Sequence, residues 1–321
     1  MQIHKEFDLS QVLWFRIGGK AKYFLQCESR EDVFEALEFM EVHKPKRLFI
    51  CGQGSNLIFT DDYFDGLVIQ ITTPKHPKIE VNGTEVTIFA GETLDTLIQL
   101  AFNQKLIGLE WAGGLPGTVG AGVRGNVGAF GGEIKDLLVK AEVLEFDDKN
   151  IDILELANKD FNFGYRTSIV KENKHMIVTS ATFHLTPATT TEMLVKARSV
   201  YAANIDYRKT NHPIEYPNCG SVFKNIKKPE DVAKILSVWP EIREMVEKKW
   251  YGKVSMGYIN TRLGFKGYKI GNAVVSEKHA NFINNLGGAT AQDVLTIIQH
   301  IQDMVKETFA IVPEVEVEIV K

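Results

Sequence analysis

Apolar and polar positions along the chain alternate between helical and strand-like periods. Val33, Leu37 and Met40 recur at helical spacing behind Ser29-Arg30-Glu31-Asp32, and the run stops near His43. Ser29 is the expected N-cap, because its hydroxyl can accept from a first-turn amide while Asp32 complements the helix end. Short apolar runs at 47–51 and 67–71 predict strands, so the opening section reads as α/β. Between them Gly52-Gln53-Gly54-Ser55-Asn56 is a turn by composition.

Val81-Asn82-Gly83-Thr84 is a hairpin signal, since Asn-Gly supplies the positive φ angles of a tight turn. Residues 93–105 predict a helix, 141–146 and 175–185 predict strands of a second, sheet-based section, and 193–203 predict a helix closing it. From Asp206 to Asn218 the chain is polar, with Pro213 and Pro217, and reads as a linker or binding loop. The last helix is the clearest: Thr290 and Asp293 form a capping box, and Val294, Ile297, Ile298, Ile301 and Val305 make one apolar stripe. Residues 315–320 alternate apolar side chains with glutamate, as a half-buried strand does.

At 321 residues the chain is long enough for two or three domains. A net charge of −4 gives no basic footprint for nucleic acid, so any anionic ligand must be held by local groups. No apolar run is long enough to span a bilayer, which predicts no membrane insertion, and the N-terminus lacks a secretory signal. Cys27, Cys51 and Cys219 are too irregularly spaced for a disulfide framework or a zinc site, so we expect a reducing, cytoplasmic setting and no metal.

Candidate chemistry concentrates between Gly108 and Glu133, where ten residues are glycine. Gly120-Ala121-Gly122-Val123-Arg124-Gly125 matches the dinucleotide fingerprint, but that motif needs a strand before it and a helix after it. Neither flank reads as a regular element, and glycine this dense argues against a helix. Nor is the stretch a flexible linker, because Trp111, Leu115, Val119, Val123 and Phe130 anchor it. Bare backbone between anchors suits close approach to a bulky ligand, with successive N–H groups forming nests for phosphate oxygens. The 52–56 loop would be a second cradle, and two cradles fit an extended diphosphate cofactor better than a small anion.

Several blocks together resemble the UDP-N-acetylenolpyruvoylglucosamine reductase (MurB) family. They are Gly54-Ser55-Asn56-Leu57; Leu115-Pro116-Gly117-Thr118-Val119-Gly120 through Asn126-x-Gly128-Ala129-Phe130-Gly131; Tyr165-Arg166-x-Ser168; and Gly220-Ser221-x-Phe223-Lys224-Asn225. Gly264-Phe265-Lys266-Gly267, Ala289-Thr290-Ala291-x-Asp293 and Pro313-Glu314-Val315 follow in the family's order, across nearly the whole chain. Three positions depart from the usual pattern: Gly120-Ala121-Gly122 permutes a Gly-Gly-Ala, Ile226 replaces a proline, and Glu316 replaces an arginine.

The resemblance implies an α+β fold: a two-subdomain FAD-binding module of the PCMH/VAO type plus an α+β substrate-binding domain. We expect FAD-binding subdomains at 1–73 and 74–205, a substrate-binding domain at 206–309, and a C-terminal segment at 310–321 returning to the active site. It implies non-covalent FAD, NADPH as hydride donor, and UDP-N-acetylglucosamine enolpyruvate as substrate, with UDP-N-acetylmuramate as product. Loops 52–57 and 113–132 contain no histidine for covalent flavin attachment. Cofactor contacts are expected from Gly52, Gly54, Ser55, Asn56, Leu57, Gly117, Thr118, Val119, Gly120, Asn126, Gly128 and Ala129. Hydride delivery to the enolpyruvyl methylene leaves an enolate, so the carboxylate must be polarised and the adjacent carbon protonated.

Arg166 suits the first task, because its planar fork matches a carboxylate and keeps its charge. Ser221 is the proton donor implied by its motif, and no histidine lies within three residues of it to suggest a serine hydrolase. Glu314 is the third catalytic candidate, chosen over Glu316 and Glu318 by the preceding proline and the family motif. Tyr165, Lys209, Lys224 and Asn225 are expected to bind substrate, the latter three as a clamp for a diphosphate. His279 reads as a polar surface residue following Lys278. The rival expectations are another non-covalent FAD oxidase or dehydrogenase of the same fold, or a flavin-binding protein without turnover.

Overall fold

A computed structural model describes residues 2–76, 78–147 and 150–321. The chain divides into two compact units, one of Met1–Phe7, Ala21–Gln53 and Phe64–Arg208, the other of Asp8–Lys20, Gly54–Tyr63 and Lys209–Lys321. Both mix helix and strand, as the α+β expectation requires.

In the first unit a four-stranded sheet runs in the order Ile3–Asp8, Lys20–Cys27, Phe64–Ile71, Leu48–Cys51. Phe64–Ile71 is parallel to both its neighbours. Helix α1 (Arg30–His43) supplies the crossover; Ser29 accepts from the Asp32 amide at 3.1 Å, and Val33, Ala36 and Leu37 are buried. A five-stranded antiparallel sheet follows, ordered Ile151–Ala157, Leu138–Phe146, Met176–His184, Glu85–Phe89, Ile79–Asn82. The Asn82-Gly83 turn joins its last two strands, Gly83 with φ +60°. Helix α2 (Leu94–Asn103) is capped by the Thr93 hydroxyl and buries Leu94, Leu97, Ile98 and Ala101.

Two expectations need correction here. Glycine density does not prevent a helix: α3 (Val119–Gly125) packs on Met176–His184. Three helical glycines cost about 3 kcal/mol relative to alanine. Burying Val119 and Val123 completely is worth roughly 1.5–3 kcal/mol each. Tertiary packing therefore overrides propensity. After the short α4 (Ile169–Glu172), helix α5 (Thr191–Asn211) continues well into the segment read as a loop from Asp206, and ends just before Pro213. Its added turns carry Ile205 and Arg208, which lie against Gly114.

The second unit has its own core, built from α6 (Pro229–Val238), α7 (Arg243–Lys248), α8 (Met256–Arg262) and α9 (Ala291–Phe309) around a small sheet of Lys269–Ile270, Ala273–Val275 and Ile283–Asn285. The capping box of α9 is present, and Val294, Ile297, Ile298, Ile301 and Val305 are all buried. At the C-terminus only Glu318–Val320 is strand, pairing in parallel with Leu57–Phe59, so the alternation over 315–320 yields a shorter strand than its pattern predicts.

Candidate functional site

In the first unit the two glycine-rich loops are joined directly. A Cβ on Gly52 would stand 2.4 Å from Thr118 Oγ1, so only bare backbone allows that approach. Gln53 Oε1 accepts from the Gly117 amide at 3.2 Å, and Gln70 Nε2 donates to the Gly52 carbonyl at 3.1 Å. Thr118 and Val119 are buried. The Val119 amide donates to Glu92 O and the Gly120 amide to Ala90 O, each at 2.8 Å, and the Gly122 amide to Thr118 O at 2.9 Å. At these positions the backbone donors serve the protein's own packing, and Gly120 is glycine because a Cβ would lie 2.7 Å from that of Ala90.

Asn126 ends α3 with φ +44° and is fully buried. Its Nδ2 donates to Glu133 Oε2 at 3.0 Å and to Gly164 O at 2.9 Å, while Oδ1 accepts from the Lys135 amide at 3.1 Å. Every polar atom of that side chain is thereby engaged with protein. Arg166, half-buried and with φ +60°, donates from Nη1 to Asn126 O at 3.3 Å and from Nη2 to Gly128 O at 2.6 Å. Ser168 caps α4 and donates to Arg124 O at 2.6 Å. The Tyr165-Arg166-x-Ser168 block is thus fastened to the C-terminal end of α3, with Arg166 held against Gly128 and Tyr165 stacked 5.0 Å from its guanidinium.

One residue missed as a candidate lies on α5. Tyr201, Asn204, Ile205 and Arg208 share a helical face that packs on residues 110–114: Asn204 Nδ2 donates to Glu110 O at 2.9 Å, and Arg208 Nε to Gly113 O at 2.9 Å. The Arg208 guanidinium also sits 5.1 Å from the Phe130 ring centroid. Its Nη2 is buried with no hydrogen-bond partner among the described residues, and burial pushes its pKa down. The i, i+3, i+4, i+7 spacing of these four residues was the available signal, hidden by ending the helix at 203.

In the second unit Gly54 is buried with φ +72°, and a Cβ there would meet Leu13 Cδ2 at 2.7 Å. Ser55 is half-buried, Asn56 exposed, and Leu57 opens the strand paired with Glu318–Val320. Among the described residues the amides of Gly54, Ser55 and Asn56 have no protein acceptor. Ser221, half-buried, follows Gly220 (φ +78°). The next residues zip onto the C-terminal segment: Lys224 N–H donates to Glu314 O at 2.9 Å, Glu316 N–H to Val222 O at 2.7 Å, and Phe223 bridges Val315. Lys224 Nζ forms an ion pair with Glu314 Oε1.

The buried Asn281 fixes the Ser221 segment further, accepting from Phe223 N–H at 3.1 Å and donating to Phe223 O at 2.9 Å. Asn225 is exposed and accepts from the Met256 amide at 3.1 Å; Lys209 is exposed on α5, its carbonyl accepting from Lys278 Nζ at 3.5 Å. The structure therefore gathers Gly52, Gly117, Thr118, Asn126, Gly128 and Arg166 in one unit, and Ser221, Lys224 and Glu314 in the other. His279 is half-buried rather than exposed: its ring packs on Phe282 and His212, and a Cβ on Gly257 would lie 2.8 Å from it. Burial lowers its pKa, and Nδ1 accepts from the Asn281 amide at 3.2 Å.

Two family models match. Residues 21–152 match an FAD binding domain, and residues 212–320 match the C-terminal domain of UDP-N-acetylenolpyruvoylglucosamine reductase. Curated reductases of that name are similar along their length. The one from Lactobacillus acidophilus is 36% identical, covering 100% of this chain and 95% of the relative. The one from Synechocystis is 34% identical, covering 98% and 90%. Among solved structures, UDP-N-acetylenolpyruvylglucosamine reductase from Thermus caldophilus is similar with a TM-score of 0.75 at 26% identity, covering 100% of this chain and 98% of that one.

Proposed function

The chain belongs to the UDP-N-acetylenolpyruvoylglucosamine reductase family, and from that premise we infer that it is an FAD-dependent oxidoreductase that uses NADPH to reduce UDP-N-acetylglucosamine enolpyruvate to UDP-N-acetylmuramate, in peptidoglycan precursor synthesis. The observation that carries this is 36% identity to a reductase of that name over the full length of the chain, both family models included. The proposed setting is the cytoplasm, where NADPH and nucleotide sugars are held. Residues 1–73 and 74–205 are proposed as the two parts of the FAD-binding module, 206–309 as the substrate-binding domain, and 310–321 as the segment bringing Glu314 to the reaction.

The residues present fit FAD. In the first unit the Arg208 guanidinium has a buried N–H without a partner among the described residues, next to the bare backbone of Gly113 and Gly114, and this suits an anionic, oxygen-rich dinucleotide. FAD supplies, when bound, the two-electron carriage between NADPH and the enolpyruvyl double bond.

Arg166 binds the substrate carboxylate and stabilises the negative charge that spreads onto it as the double bond is reduced. Its proposed anchorage on Asn126 O and Gly128 O orients the guanidinium before substrate arrives. Ser221 Oγ–H gives the proton to the carbon next to the carboxylate. A serine is a weak acid, so that transfer is feasible only to a strongly basic enolate at short range. Lys224 holds Glu314 Oε1, leaving the second carboxylate oxygen to hydrogen-bond toward the substrate. Tyr165, Lys209 and Asn225 are proposed to bind the sugar nucleotide.

The test is an anaerobic absorption spectrum of the holoprotein, first with NADPH and then with the enolpyruvyl substrate. The flavin band should bleach and then return. A band that stays bleached keeps a flavoenzyme but rejects this substrate, and no flavin band after incubation with FAD rejects the function. Ser221→Ala should still be bleached by NADPH while losing the return; unchanged turnover removes Ser221 as the proton donor.

A further inference from the structure

The face of α5 that meets the glycine-rich loop carries a charged group the reaction above does not use. Arg208 is tied by Nε to Gly113 O at 2.9 Å, its Cδ lies where a Cβ on Gly114 would be 3.1 Å away, and its guanidinium covers Phe130. Among the described residues no carboxylate forms an ion pair with it. Nη2 is nevertheless buried and has no acceptor among the described residues. Leaving a charged donor buried and unpaired is costly, and proteins retain such a group where a ligand supplies the acceptor.

Three features give that donor a direction. Residues 113–117 are almost side-chain-free apart from Leu115 and Pro116, so a ligand can approach the backbone that Arg208 holds. The segment belongs to the stretch matched by an FAD binding domain. The guanidinium is fixed on two sides, by the Gly113 carbonyl and the Phe130 ring, which leaves little entropy to lose on binding.

We propose that Arg208 is a cofactor-binding residue, whose Nη2 N–H donates to an oxygen of bound FAD beside Gly113 and Gly114. The assignment rests on the FAD-dependent reading above. The acceptor is an anionic or carbonyl oxygen, either of the diphosphate or of the flavin ring. Through Nε and Phe130 the same residue holds the 113–130 loop in the shape the cofactor meets.

The experiment compares wild type, Arg208→Lys and Arg208→Gln by FAD release on dilution of the holoprotein, followed by flavin fluorescence, with thermal unfolding measured alongside. Losing one charge-assisted hydrogen bond should weaken FAD binding by about 10- to 100-fold in Arg208→Gln. Arg208→Lys keeps the charge and the stem packed on Gly114 but not the fork, and should fold even where the glutamine variant does not; a loss of about threefold to tenfold is expected for it. Competition by ADP and by riboflavin separates the sources. Weakened ADP with unchanged riboflavin assigns the diphosphate, and the converse assigns the ring. Unchanged FAD affinity in Arg208→Lys, and in Arg208→Gln if folded, with only a lowered melting temperature, overturns the assignment and leaves Arg208 a structural prop. Wild type that binds no FAD sinks the functional reading instead.

Discussion

Gly120 and Gly125 lie in the same seven-residue helix, and alanine should have opposite effects at the two positions. Neither has a positive φ, so backbone conformation permits alanine at both. Each substitution gains up to about 1 kcal/mol of helix propensity and unfolded-state entropy. At Gly125 nothing lies within 4 Å of the new methyl, so Gly125→Ala should stabilise by roughly 0.4–1 kcal/mol. At Gly120 the methyl would stand 2.7 Å from Ala90 Cβ and 3.2 Å from Ala90 O, the carbonyl that accepts the Gly120 amide. Overpacking of that kind costs about 1–3 kcal/mol, so the net for Gly120→Ala is a loss of about 0–2 kcal/mol. A unit of this size shifts its melting temperature by about 2–4 °C per kcal/mol, which separates the variants by several degrees. Thermal unfolding followed by circular dichroism, at saturating FAD, reads the difference. Gly120→Ala melting at or above Gly125→Ala would refute close approach to Ala90 as the reason for glycine there.

Two further outcomes are expected. Asn126→Ala removes three buried hydrogen bonds and places a Cβ-bearing residue without a polar side chain at φ +44°, so urea unfolding should register a loss of about 3 kcal/mol; a loss below about 1 kcal/mol would mean the loop re-pairs elsewhere. For His279, burial holds the folded pKa below the ordinary 6.5, so the unfolded chain takes the proton first; stability is full above 6.5 and falls as pH drops through that value toward the lowered one. His279→Gln should therefore shrink the drop in melting temperature between neutral pH and about pH 5, and an unchanged drop would assign it to other groups.

The sequence by itself determined the elements whose signals are local. Ser29, Thr93 and Thr290 each start a helix because a capping hydroxyl and an apolar period of 3.6 agree within a few residues. The family blocks were legible for a similar reason, since bare-backbone turns and short polar motifs need particular residues at particular spacings. Tertiary structure decided what depends on distant partners. Helix α3 exists against its glycine content because Val119 and Val123 are buried and Ala90 admits a bare face. The last turns of α5 are helical because Ile205 and Arg208 lie against residues 113–114, more than ninety positions earlier. Residues 54–63 join the second unit because Leu57–Phe59 pairs with Glu318–Val320 at the far end of the chain. Propensity and capping act over one turn of helix. Buried area and strand pairing act between segments of any separation, and their larger energies choose where the local signals are weak or opposed.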